Sequence, residues 1–273
     1  MESPIFFGNE SEQMFGVLHT PDEASPRSGI LLCHAFGEEK LWSHRVFVNL
    51  AREATKRGLA VLRFDHRGHG DSAGHSEDYS IPSYLQDIDV AADLLRAKCP
   101  DLEEIGLIGL RLGATLAKVY TSQNELIDRL VLWEPVLDGA KYMQELLRIN
   151  LSTQLAVYGK VQKNREALVA EMTDGSLVNV DGYLISSEFY QDCGRVRLLE
   201  DPISSHNTKS LVVQIAPNLK QRDRPDLLEF CDKCPEAEFL KVEEPPFWRE
   251  IKPFTSRTKS LIRETLDWWE RKN

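Results

Sequence analysis

Residues Gly106–Tyr120 read GLIGLRLGATLAKVY, an apolar run followed directly by a helix-forming segment. We predict a buried strand over Glu104–Leu110 and a helix over Gly113–Tyr120. Between them, Gly109–Gly113 spells G-L-R-L-G. A central serine would make this G-x-S-x-G, the strand-to-helix turn that exposes a nucleophile. The centre is instead Arg111, whose guanidinium stays protonated in proteins and cannot attack a carbonyl.

The same alternation of short apolar runs and amphipathic stretches extends through most of the chain. Apolar strands separated by helices are typical of a mostly parallel sheet covered by helices on both faces. Two weaker segments, Pro4–Gly8 and Gln13–His19, predict an antiparallel hairpin at the sheet edge. The other predicted strands are Gly29–Phe36, Leu59–Asp65, Arg129–Glu134, Ser210–Ile215 and Glu238–Val242, and the other predicted helices are Ser43–Arg57, Ile81–Lys98 and Lys259–Lys272. The sequence therefore predicts an α/β fold with eight strands.

This pattern breaks after the sixth strand. The segment from about 138 to 207 is helical and polar, with a turn-rich stretch, TDGSLVNVDG, in its middle. An insertion of about 70 residues is too long for a simple loop, so we expect a helical subdomain. We therefore predict a core of residues 1–137 and 208–273, with a cap formed by residues 138–207.

The composition limits the class of protein. The chain has 273 residues, of which 42% are hydrophobic, and a formal net charge of −10. That charge argues against nucleic acid or an anionic membrane as the main partner. No stretch approaches the roughly 20 apolar residues of a membrane span. The N-terminal segment MESPIFFGNESEQ also lacks the features of a signal peptide, so we expect a cytoplasmic protein.

Cysteine and histidine give no sign of a metal site. The five cysteines fit a reducing compartment. The pair Cys231 and Cys234 has no second pair to complete a zinc site. His66, His69 and His75 lie on one glycine-rich stretch, which we interpret as a structural turn. We therefore expect neither a metal nor a cofactor, and the sequence leaves the oligomeric state open, a homodimer included.

Three segments together resemble the α/β-hydrolase superfamily. FDHRGHGDS at residues 64–72 resembles that superfamily's D-x-R-G-x-G-x-S turn after the fourth strand. HAFG at residues 34–37 falls where many members carry an oxyanion loop after the third strand. G-L-R-L-G follows at the end of the fifth strand. Among the branches, the chain resembles the serine-aminopeptidase-like group, and within it the exosortase-associated hydrolases.

The resemblance implies a catalytic triad, and two of its members are missing. The nucleophile position holds Arg111, and the loop expected to carry the histidine, KVEEPPFWREIKPFTSR at residues 241–257, contains none. Trp248 lies in that loop. The last of the seven histidines is His206, too early in the chain. An acid remains at Glu134 after the sixth strand, or at Asp223 or Asp226 after the seventh, but an acid alone supplies no nucleophile.

The residues around the predicted strand-to-helix turn suggest an anion-binding site. Leu112 opens a helix whose free N–H groups and dipole favour negative charge. The resemblance implies that the amides of Leu112 and Phe36 are the two oxyanion donors, with His34 beside them. Arg111 adds a planar fork for a carboxylate or phosphate. Its counter-ion is either Glu134 on the adjacent strand, the alternative that we favour, or a ligand anion, and the two are compatible.

Two functions follow. In the first, the protein is a degenerate ester or acyl hydrolase that binds a small anionic or acyl-bearing molecule through Arg111, Leu112, Phe36, His34 and Glu134. In the second, it is an active esterase, thioesterase or acyl-transfer enzyme with displaced residues. Glu134 or an aspartate after the seventh strand would then be the general base for a water molecule.

Overall fold

The computed structural model describes residues 1–22, 25–200, 208–249 and 258–271. Their main sheet has eight strands, namely β1 (Glu2–Phe7), β2 (Met14–His19), β3 (Ser28–Cys33), β4 (Ala60–Phe64), β5 (Glu104–Leu110), β6 (Arg129–Trp133), β9 (Lys209–Ala216) and β10 (Ala237–Glu243). The order across the sheet is β1-β2-β4-β3-β5-β6-β9-β10, and within it only the pairs β1–β2 and β2–β4 are antiparallel.

Helices cover both faces of this sheet. They are α1 (Glu38–Lys56), α2 (Ile81–Lys98), α3 (Leu112–Gln123), α7 (Pro225–Lys233) and α8 (Lys259–Trp269). Alternate residues of β3 enter opposite cores: Leu31 packs in one apolar cluster and Leu32 in the other. This two-sided burial explains why the central strands read as continuous apolar runs. The predicted mixed sheet with an N-terminal antiparallel hairpin is confirmed.

The chain between β6 and β9 forms smaller elements. They are α4 (Gly139–Tyr158), α5 (Arg165–Thr173), α6 (Ser187–Arg195) and a hairpin of β7 (Val178–Val180) and β8 (Tyr183–Ile185). The hairpin was not predicted, because each of its strands has only three residues. Residues 201–207, which include His206, and residues 250–257 of the expected histidine loop lie outside the described residues.

The parallel strands bring the residues that follow them to one edge of the sheet. The segments after β3, β5, β6, β9 and β10 all leave the sheet at their carboxyl ends, where ligands bind in open α/β sheets. Helix α1 begins five residues earlier than predicted, at Glu38, because Gly37 takes a left-handed conformation (φ 59°) that ends the preceding loop. This shift places Glu39 in the first turn of α1, at that edge. In the described part of the chain, no helix combines the length and apolar character needed to cross a membrane.

Candidate active site

The turn between β5 and α3 has the strained backbone of a nucleophile elbow. Arg111 has φ 53° and ψ −122°, a conformation that L-residues other than glycine rarely adopt. Its amide donates to the carbonyl of Trp133 at 3.0 Å, and its own carbonyl accepts from Ala114 at 3.1 Å. Surrounding structure must maintain such strain, which clusters at functional sites. The turn is therefore built as an elbow although its central residue is arginine.

The two glycines of the motif are required by close packing at this turn. A Cβ at Gly113 would lie 2.2 Å from the carbonyl oxygen of His34, and one at Gly109 would lie 2.5 Å from the amide nitrogen of Ala114. Both contacts are with backbone atoms that cannot move aside cheaply. The G-L-R-L-G match is therefore not a coincidence of sequence.

The side chain of Arg111 is held by two carboxylates of the chain. The arginine is buried, and its Nε donates to Oε1 of Glu39 at 2.9 Å while Nη2 donates to Oε2 of Glu145 at 3.1 Å. The hydroxyl of Tyr142 donates to the other oxygen of Glu39 at 2.9 Å. Glu39 comes from α1, whereas Tyr142 and Glu145 come from α4. The arginine therefore links the sheet, a core helix and the inserted segment.

Aromatic rings complete this arrangement. The guanidinium carbon lies 5.5 Å from the ring centroid of Tyr142 and 5.9 Å from that of Trp248, within range of a cation–π interaction. Burial alone would lower the pKa of Arg111, but the Glu39 carboxylate and its neighbours raise it above its ordinary value. Burial raises the pKa of Tyr142 well above its ordinary value, and Glu39 adds to that rise. The arginine is thus a permanent cation, and the tyrosine stays a neutral donor.

The favoured pairing of Arg111 with Glu134 is wrong. Glu134 Oε1 accepts from the amide of Ile215 at 2.7 Å, and Oε2 accepts from Nη1 of Arg224 at 2.7 Å. Glu134 directly follows β6 and has a left-handed backbone (φ 48°), and its own amide bonds to Val213 of β9. The Glu134 carboxylate is therefore bound to β9 and to Arg224 instead of to Arg111.

The other candidate triad residues, Trp248, Asp223 and Asp226, have different surroundings. Trp248, in the loop after β10, is buried, and the centroid of its ring lies 5.9 Å from the guanidinium carbon of Arg111. Asp223 forms an ion pair with Lys241 and is half exposed. Asp226 binds Arg224 through both oxygens, at 3.1 and 2.5 Å. The carboxylates expected after the sixth and seventh strands are thus each engaged by a cation other than Arg111.

The candidate ligand-binding residues face two different spaces. A cleft of about 300 Å³ lies between the elbow and the inserted segment. It is lined by Arg111, Pro135, Val136, Leu137, Asp138, Lys141, Tyr142, Glu145, Arg197, Leu199, Glu200, Arg224 and Asp226. His34, Phe36 and Leu112 instead line a small cavity of about 20 Å³. The single site predicted from the sequence is therefore divided, and Glu134 reaches the cleft only through Arg224.

Buried histidines surround the small cavity. His66 Nδ1 lies 3.2 Å from Asp87 Oδ2, and His69 Nε2 lies 2.8 Å from the hydroxyl of Tyr84. His19 accepts from Arg63 at the other side of the sheet. Among the described residues, no serine or cysteine shares a hydrogen bond with a histidine ring, and no cluster of histidine, cysteine and acidic residues has the geometry of a metal site.

These histidines give a testable pH dependence. Burial is the main cause that lowers the pKa of His69, to about 3. In the unfolded chain this ring binds a proton near its ordinary pKa of about 6.5, so its contribution to stability is present above that pH and is lost as the pH falls. Between about pH 7 and about pH 5.5, His69 should account for a loss of about 1 kcal/mol in the free energy of unfolding.

Urea unfolding across that pH range, compared between the wild type and His69→Gln, measures this loss. The variant keeps a polar side chain at residue 69 but removes the titrating ring. Its stability should fall less on acidification by about the stated amount. Parallel curves for the two proteins would show that His69 titrates normally in the folded state.

Sequence reasoning missed Glu39 and Glu145. The sequence held a signal for Glu39, because this residue follows β3 closely and Arg111 directly follows β5. The strands β3 and β5 are neighbours in the sheet. Residues that follow two neighbouring parallel strands emerge side by side at one sheet edge. Glu145 had no such signal, since its position depends on how α4 packs over the elbow.

The strand order, the elbow and the helices on both faces define an α/β hydrolase. More narrowly, the chain belongs to the serine aminopeptidase S33 family, whose model matches residues 24–190. A curated relative, protein phosphatase methylesterase 1 of Candida albicans, is 31% identical over 137 residues. That match covers 50% of this chain and spans only 36% of the length of the relative.

Solved structures with the same fold are more distant in sequence. Est1E from Butyrivibrio proteoclasticus with bound ferulic acid has a TM-score of 0.71 and 14% identity, with 98% of this chain and 100% of that chain covered. A Pyrococcus furiosus esterase has a TM-score of 0.65 and 16% identity, with 99% and 90% covered. At these identities the similarity establishes the fold alone.

Proposed function

We propose that this protein is a pseudoenzyme of the α/β-hydrolase fold, which binds a small carboxylate- or acyl-bearing ligand in the cleft without cleaving it by a serine mechanism. The observation that carries the proposal is Arg111 at the strained centre of the elbow, with both Glu39 and Glu145 on its guanidinium. No hydroxyl or thiol occupies that position, and the described part of the loop after β10 brings Trp248, not a histidine, beside the guanidinium.

Both carboxylate oxygens of Glu134 already accept hydrogen bonds, and this argues against Glu134 as the general base of an active hydrolase. A carboxylate that accepts from a backbone amide and from Arg224 on its two oxygens is poorly placed to take a proton from water. The geometry therefore favours binding over hydrolysis.

The ligand class follows from the two carboxylates on Arg111. Glu39 is mostly buried and shares its other oxygen with Tyr142, whereas the Glu145 side chain is 52% exposed and makes one bond to the guanidinium. A ligand carboxylate can replace Glu145 on Nη2 while Glu39 stays in place. The cleft of about 300 Å³ has the volume of a small organic molecule. In this proposal, residues 138–207 serve as the cap of the site.

Ferulic acid, which Est1E binds, supplies a suitable carboxylate probe. Calorimetric titration should show binding of ferulate and much weaker binding of its uncharged methyl ester. Glu145→Gln should bind ferulate about threefold to fivefold more tightly, because an exposed competing ion pair of up to about 1 kcal/mol is removed. Glu166→Gln, which makes the same change at an exposed glutamate of α5 outside the cleft lining, is the matched control. Equal affinity for acid and ester, or no gain in Glu145→Gln, would contradict carboxylate binding at the elbow.

Hydrolysis is tested separately. The protein should show no turnover of p-nitrophenyl esters or acyl thioesters above background, and no labelling by a fluorophosphonate, with a serine esterase as the positive control. Arg111→Ser should be equally inactive, because the chain has no histidine after residue 206. Turnover that survives purification and disappears in Glu134→Gln would overturn the proposal in favour of the displaced-base enzyme.

A further inference from the structure

The small cavity beside the elbow is lined by apolar side chains together with several polar ones. Its volume is about 20 Å³, and it is lined by His34, Ala35, Phe36, Lys40, His66, His69, Tyr84, Leu112 and Leu116. Lys40 is paired with Asp65 at 2.8 Å, and His69 with Tyr84. The remaining two imidazoles, those of His34 and His66, determine what this cavity can hold.

Each of these two rings has a buried nitrogen that lacks a partner. Within the described part of the chain, neither His34 Nδ1 nor His66 Nε2 has a hydrogen-bond partner, and both residues are more than nine-tenths buried. A buried polar atom without a partner costs about 1–3 kcal/mol, and such atoms are rare in native proteins. Both residues line the same cavity, so one partner inside it can serve both nitrogens.

The chemistry of His66 identifies the kind of partner. Asp87 Oδ2 lies 3.2 Å from His66 Nδ1 and also accepts from the amide of Arg67, while Oδ1 accepts from Arg67 Nε at 2.6 Å. Although burial would raise the pKa of Asp87, His66 and Arg67 lower it overall, so the carboxylate is ionised. His66 Nδ1 therefore carries a hydrogen, and in the neutral ring Nε2 is an acceptor. A partner that donates a hydrogen bond satisfies this nitrogen.

We propose that this cavity is a binding site for one water molecule, which donates to His66 Nε2 and forms a second hydrogen bond with His34 Nδ1. A cavity needs about 10–15 Å³ to hold one water molecule, so about 20 Å³ admits one and excludes a larger ligand. The bound water extends the Asp87–His66 pair to His34, the first residue of the HAFG loop. It thereby fixes the loop whose Phe36 borders the elbow helix at Leu112.

A ligand-free crystal structure at high resolution tests this site directly. The expected result is one electron-density peak in the cavity at hydrogen-bonding distance, about 2.7–3.2 Å, from both nitrogens. In solution, water–protein nuclear Overhauser effects to the His66 ring should show a long-lived water. A dry cavity, or a peak of an ion in place of water, would overturn the proposal.

The sign of the change in melting temperature of a His34 variant shows whether the cavity holds water. His34→Phe keeps an aromatic ring at the position that stacks on Phe47 at 4.4 Å but removes both imidazole nitrogens. With water bound, the melting temperature should fall by about 2–4 °C, because the water loses a partner. In a dry cavity the same change removes an unsatisfied polar atom, so the melting temperature would rise. His44→Phe, at an exposed position stacked on His34, is the matched control and should change little.

Discussion

Arg111→Ala is expected to lower the free energy of unfolding by about 3–5 kcal/mol, the range for breaking a buried ion pair by removing one partner. The substitution leaves Glu39 as a mostly buried carboxylate with Tyr142 as its remaining donor. It also removes the cation between the rings of Tyr142 and Trp248. The strained backbone at residue 111 persists in the variant, since alanine gains nothing at a positive φ. Urea unfolding monitored by circular dichroism measures the loss.

The matched control for this prediction is Glu145→Gln. Glu145 contacts the same guanidinium, but its side chain is 52% exposed, so the pair is worth no more than about 1 kcal/mol. The two losses should therefore differ severalfold although both variants remove one member of the same cluster. Similar small losses for both would show that Arg111 is solvated at the elbow rather than held there.

Glu134→Ala should cost about 2–4 kcal/mol, the second largest effect. Glu134 is buried at the end of β6 and satisfies both the amide of Ile215 and the guanidinium of Arg224. Its removal leaves a buried N–H without its acceptor and weakens the link between the loop after β9 and the sheet. Thermal or urea unfolding of the purified variant gives the size of the loss.

Asp223→Asn is the comparison for Glu134. Asp223 was also predicted as a possible triad acid, but it is half exposed and paired with Lys241, so its replacement should cost less than about 1 kcal/mol. A small effect at both positions would remove the structural role assigned to Glu134. It would also reopen the case for Glu134 as a catalytic base, because a carboxylate without a structural partner is free to accept a proton.

Most of the fold was predictable from local pattern. Helix α2 has the predicted bounds, and the elbow lies at G-L-R-L-G, because buried strands and amphipathic helices leave their period in the sequence. The β7–β8 hairpin escaped prediction because strands of three residues carry no such period. The predicted start of α1 lies too far along the chain, because Gly37, and not an apolar residue, determines where this helix begins.

The site was predictable only where backbone topology determines it. Trp248 was predicted to lie in the loop after the last strand, and it lies beside Arg111 because the loops after β5 and β10 open onto the same sheet edge. The counter-ion of Arg111 was assigned wrongly, because the choice among nearby carboxylates depends on side-chain direction. A left-handed residue at Glu134 anchors that carboxylate to β9, and helix packing brings Glu145 over the elbow. Neither effect leaves a periodic pattern or a motif in the sequence.

The pairing of Arg111 with Glu39 is the physical basis of this account, and a double-mutant cycle measures it most directly. Unfolding free energies of the wild type, Arg111→Ala, Glu39→Ala and the double variant give the coupling between the two side chains. We predict a coupling of about 2–3 kcal/mol, so that the double variant is much less destabilised than the sum of the single ones. Additivity within about 0.5 kcal/mol would contradict the account, because it would leave the elbow arginine without its internal counter-ion.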